Sequence, residues 1–111
     1  MKVTRRDDGE VYKAVDHHSM WGALKVKEGD DSMRTVVSLS HFLPDGGAKM
    51  KPSSRERVYF LLRGSVTVTG DKEEYVLNEG DCIYIGPNEN RQVTVNNNRP
   101  ATMLVVVVRT E

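Results

Sequence analysis

The stretch RVYFLLRGSVTVTGDKEEYVL, Arg57 to Leu77, decides the fold. Val58 to Arg63 is an unbroken run of strand-favouring residues, and Ser65 to Thr69 alternates Val with Thr. Gly64 falls between them, where a glycine is costly in a straight strand, so it marks a bend, a bulge or a close backbone approach. Gly70-Asp71-Lys72 then supplies turn chemistry before a third short strand, Tyr75 to Leu77.

The same punctuation continues on both sides. Upstream, LKVKEGDDSMRTVVSLSHFL, Leu24 to Leu43, reads as two strands about a turn at Glu28 to Asp31. Downstream, strands are expected at Cys82 to Ile85, Arg91 to Val95 and Met103 to Arg109. Between strands lie PDGG, TGDK, NEGD, GPNEN and NNNRP. In Leu43 to Gly47 the order Pro, Asp, Gly predicts a tight turn with a glycine at positive φ. Asn96 to Asn98 predicts a loop using left-handed backbone. No segment holds a helical period over a helical length. Short strands separated by regular turns predict an all-β sandwich or barrel.

The 111 residues suit one domain with one core. Sixteen basic and sixteen acidic residues cancel, which argues against a nucleic-acid partner. The single cysteine, Cys82, has no internal partner, which points to a reduced, cytoplasmic setting. It lies in an apolar run and is expected to be a small buried hydrophobe. The charged start, MKVTRRDDGE, is not a secretory signal, and MLVVVV is far too short to span a membrane.

GGAKMKPSSRERVYFLLRG and GDCIYIGPNENR together resemble the two motifs of the cupin superfamily, small double-stranded β-helix barrels of the jelly-roll kind. In the first motif Gly64 matches the closing glycine. The glutamate position is Arg57, and the two histidine positions are Ser53 and Lys51. In the second motif Gly80 matches, Gly86 and Pro87 straddle the proline position, Asn88 takes that of the second glycine, and Arg91 takes that of the histidine. The resemblance implies one domain over residues 1–111, an N-terminal strand arm at 1–27 and a barrel core at about 34–108. It also implies a homodimer.

All four metal-ligand positions are changed. Protonated Lys and Arg donate hydrogen bonds and have no lone pair for a metal, so no cofactor is expected. If the family's inward orientation holds, Lys51, Ser53, Arg57 and Arg91 would bind a small anion, a carboxylate, phosphate or enolate. Leu39, Leu61 and Val105 to Val108 would wall the ligand. His41 or His18 would carry a proton with Tyr59 or Tyr84 as partner, for isomerase, lyase or decarboxylase chemistry. Three alternatives stay open. Arg57 faces outward and pairs with Glu56 or Glu89; the pocket is a non-catalytic ligand sensor; or His17, His18 and His41 form a displaced metal site, with Glu56 or Asp45. Trp21 is expected at a barrel end or a dimer contact.

Overall fold

The structure, a computed structural model, describes residues 1–110. Nine strands carry the fold: β1 (Glu10–Tyr12), β2 (His17–Val26), β3 (Thr35–Lys51), β4 (Glu56–Arg63), β5 (Val66–Thr69), β6 (Glu74–Leu77), β7 (Cys82–Ile85), β8 (Arg91–Val95) and β9 (Ala101–Val108). No helix occurs among the described residues, and so none is long and apolar enough to cross a membrane. The strands join one antiparallel sheet in the order β6-β5-β8-β3-β9-β4-β7, with β2 and then β1 added beside β3. The sheet rolls into a nearly closed jelly-roll barrel.

The long strand β3 makes this roll. Its first half, Thr35 to Phe42, pairs with β9, and its last part, Gly47 to Lys51, pairs with β8. One wall is therefore β3-β9-β4-β7 and the other β3-β8-β5-β6. Strand alternation fills the space between them with Phe42, Leu61, Val66, Val93, Met103 and their neighbours. β6 and β7 are the two ends of this path, and the barrel is open between them, while β1 is the edge beside β2.

The strands expected at Cys82 to Ile85 and Arg91 to Val95 match to the residue. Gly64 bends the chain at φ 88°, and Gly29 turns it at φ 91°. Asn97 and Asn98 are left-handed at φ 62° and 49°, and Asn88, standing for the motif glycine, at φ 66°. Three expectations are corrected. The PDGG segment is not a tight turn, because β3 continues through it and neither glycine has positive φ. Cys82 is exposed: Ile83 and Ile85 take the inner face of β7, so Cys82 and Tyr84 point out. Leu39 also lies on the outer face, because Ser38 and Ser40 are the buried residues in register with Phe42. The short strand β1 arises in a charged segment whose composition gave no strand signal.

Candidate functional site

Alternation fixes which side chains face the interior. Tyr59 and Leu61 are buried on β4, so Arg57, two residues earlier, faces the same way. Arg91 and Val93 are buried on β8. Directly paired residues share a face, so Lys51, opposite Arg91, also turns inward. His17 sits opposite Ala48, which is itself opposite Val93, and it turns inward too. Four elements thus contribute three cations and an imidazole to one end of the barrel.

Arg91 is only 7% exposed. Its guanidinium donates to the carbonyl of Lys51 at 2.5 Å and, through Nε, to the Tyr59 hydroxyl at 3.4 Å. No carboxylate pairs with it among the described residues. Arg57 Nε is buried and has no hydrogen-bond partner among the described residues. The pairings of Arg57 with Glu56 or Glu89 do not form; Glu89 accepts instead from the amide of Gly86 at 2.6 Å. Lys51 Nζ meets Asp16 Oδ2 at 3.1 Å at the solvent-exposed edge of the group. That hydrogen bond, with the lysine charge, holds the Asp16 carboxyl below its ordinary range.

His17 Nδ1 lies 2.7 Å from the carbonyl of Val15. Its pKa is lowered, first by burial and then by the charges of Lys51, Arg91 and Arg57, against the raising effect of that backbone bond. His18 is exposed on the opposite face, against Gly47 in a shallow groove with Asp45 and Lys49. His41 also lies on the outer face, stacked on Trp21 with ring centroids 4.3 Å apart and bonded to the Thr102 hydroxyl at 3.1 Å. The structure therefore groups Lys51, Arg57, Arg91 and Tyr59, and leaves His18 and His41 outside that group. Ser53 lies in the β3–β4 loop, where its hydroxyl accepts from the Arg55 amide and its carbonyl from the Asn88 amide.

The displaced metal site does not assemble. Among the described residues no three His, Cys, Asp or Glu side chains come together in a way that could hold a metal ion. His17 is the residue the sequence placed least well. Counting back from buried Met20, strict alternation would turn His18 inward. A register shift between His18 and Met20, with Ser19 at φ 47°, reverses the parity and turns His17 inward instead.

A cleft of about 470 Å³ opens between the free edges β6 and β7. Leu77, Ile83 and Ile85 form part of its apolar lining, Tyr75 and Tyr84 stand at it, and Glu73, Asp81 and Glu89 add carboxylates. Arg91 lines it as well, and is the one member of the cationic group that does so. Cleft and cationic group therefore meet at this guanidinium.

Residues 38–107 match the family described as "Cupin domain". A relative named "Beta-D-galactosidase Rv1717", from Mycobacterium tuberculosis, is 34% identical over 108 residues, covering 96% of this chain and 93% of the relative. The polyketide cyclase RemF from Streptomyces resistomycificus has a similar fold, with a TM-score of 0.84 at 18% identity over 97% of this chain and 79% of that one. An RmlC-like cupin from Shewanella frigidimarina gives 0.82 at 10% identity, over 97% and 90%.

Proposed function

Since this chain belongs to the cupin family, with cations at the family's metal-ligand positions, we propose that it binds a small anionic metabolite there without a transition metal. The single observation that carries this reading is the buried, unpartnered Nε of Arg57, set among two further cations on one inner face. Burying an unpaired donor costs about 1–3 kcal/mol, and a carboxylate or phosphate in reach of it removes that cost. Arg57 and Arg91 offer planar forks for such a group, and Lys51 adds a point charge. The usual metal does not fit this donor set, since Lys51 and Arg57 replace lone-pair donors with positive charge and would repel a cation. The cleft between β6 and β7 receives the uncharged body of the ligand.

Thermal unfolding with citrate, inorganic phosphate and a panel of organic acids tests this. A ligand at a hundred times its Kd adds about 2.7 kcal/mol, which raises the midpoint by about 10 °C. Arg57→Met abolishes the rise. No shift with any anion, or an undiminished shift in Arg57→Met, overturns the reading. Turnover separates an enzyme from a ligand sensor.

A second reading is favoured by the relative named as a β-D-galactosidase. Glycoside hydrolysis uses two carboxyl groups flanking the scissile bond, roughly 5–10 Å apart. The cleft offers Glu73, Asp81 and Glu89. Each already accepts a hydrogen bond, from the Tyr75 hydroxyl, the Asn78 amide and the Gly86 amide respectively. Release of nitrophenol from nitrophenyl β-D-galactoside, lost in Glu89→Gln or Glu73→Gln, would put this reading first.

A further inference from the structure

We propose that His17 is the general base of the cationic site, its Nε2 removing a proton from the carbon beside the carbonyl of an anionic hydroxy-ketone or keto-acid. This rests on the anion-binding reading and deepens it. A carbonyl oxygen only accepts hydrogen bonds, so the contact of His17 Nδ1 with Val15 fixes the ring hydrogen on Nδ1. In the neutral ring Nε2 then holds the lone pair. It has no partner among the described residues, where the contact with Val15 is the one side-chain hydrogen bond His17 makes.

The surroundings keep the ring neutral and ready. The charged groups acting on it are Lys51 from β3, Arg57 from β4 and Arg91 from β8, with Asp16 adjacent in the chain and bonded to Lys51. Burial acts in the same direction as the three cations. The same cations suit the product of the step. When the C–H bond breaks, its electron pair becomes an enolate whose oxygen is negative, and the guanidinium groups stabilise it. The proton forms the Nε2–H bond, and the new imidazolium is balanced by the enolate. Return of that proton to the same carbon completes an exchange with solvent; in a hydroxy-ketone, its delivery to the former carbonyl carbon, with the hydroxyl proton passing from one enediolate oxygen to the other, completes an isomerisation, with no oxidant, reductant or added group. His18 and His41 lack this placement because β2 and β3 respectively turn them to the outer face.

The test has two stages on the intact chain. Imidazole nitrogen NMR follows His17 with and without saturating inorganic phosphate. Hydrogen on Nδ1, and a titration midpoint that phosphate moves upward, are expected. Deuterium uptake from D2O into dihydroxyacetone phosphate, 2-oxoglutarate and oxaloacetate is then followed. Uptake into at least one probe is expected, reduced by 10²- to 10⁴-fold in His17→Asn, with phosphate binding still detectable. Failure of phosphate and citrate to bind at all removes the anion-binding reading. Binding without any movement of the His17 midpoint overturns the base assignment alone. So does an absence of uptake into every probe, or uptake that survives in His17→Asn.

Discussion

Arg57 and His17 carry opposite signs of the same local conflict. Three cations share one inner face, where Asp16 balances Lys51 and leaves the two arginines without a carboxylate among the described residues, and the imidazole beside them resists becoming a fourth. Arg57→Met removes the buried orphan donor while keeping much of the side chain's bulk. The ligand-free variant is therefore expected to be about 1 kcal/mol more stable than the wild type by urea unfolding, an advantage that phosphate reverses. The histidines give a pH signature. The pKa values of His17 and His41 both lie below the ordinary histidine value, chiefly because of burial. Between those lowered values and the unfolded value near 6.5, the unfolded chain holds more protons than the folded one, so stability rises with pH there. The contribution is complete above about pH 7 and is lost as pH falls through 6.5 toward the folded values. Melting temperature measured from about pH 5 to 8 should show this slope. His17→Asn should flatten it, and phosphate should weaken it by restoring protonation of His17 in the fold.

At the scale of elements, β3 is where sequence and structure part. PDGG carries the composition of a tight turn, but its glycines serve close approach. A Cβ on Gly47 would lie 2.5 Å from the carbonyl oxygen of Val93, and one on Gly46 the same distance from that of Ser19. Both obstacles are backbone and cannot step aside. Gly47→Ala is thus expected to destabilise by roughly 2–4 kcal/mol. Gly29→Ala meets no atom within 4 Å, and its cost is limited to a left-handed backbone, about 1–2 kcal/mol. Equal losses in the two variants by urea unfolding would refute this distinction. The turns at Gly29, Gly64, Asn88 and Asn97 were legible because one residue type answers one backbone demand. The role of PDGG was not, because a turn glycine and a crowding glycine look alike in a sequence. The inward facing of Lys51, Arg57 and Arg91 was legible from motif spacing, which set them against fixed glycines. His17 was not, because its facing depends on a one-residue irregularity at Ser19. Cys82 and Leu39 misled for a related reason: β3, β4, β7 and β9 are apolar on both faces, so hydrophobicity alone does not name the inner one.

That second apolar face matters for the whole molecule. Across the outer wall the register lines up Ala23, Leu39, Leu104, Phe60 and Cys82 in one row. Val37, Val106, Val58 and Tyr84 form the next. Neither row contains a charged residue. Phe60 is 36% exposed, Leu62 near it on β4 45%, and Trp21 on β2, beside β3, 42%. About ten such side chains, part-exposed, present on the order of 600–800 Å², close to the roughly 800 Å² per partner of a standard stable interface. Isolated chains seldom leave a patch of that size open. We propose that a second copy of the chain covers it, since neither row carries a charge that would be repelled by its own image about a twofold axis. Cys82 and Tyr84 belong both to this face and to the cleft, so the face adjoins the opening between β6 and β7. Sedimentation is therefore expected to give twice the chain mass, falling to the single chain in Phe60→Glu. In that variant the anion response of Lys51, Arg57 and Arg91 should persist, because those residues face the interior. A wild-type monomer at micromolar concentration would rule out the interface, whereas a Phe60→Glu dimer would place it on another face.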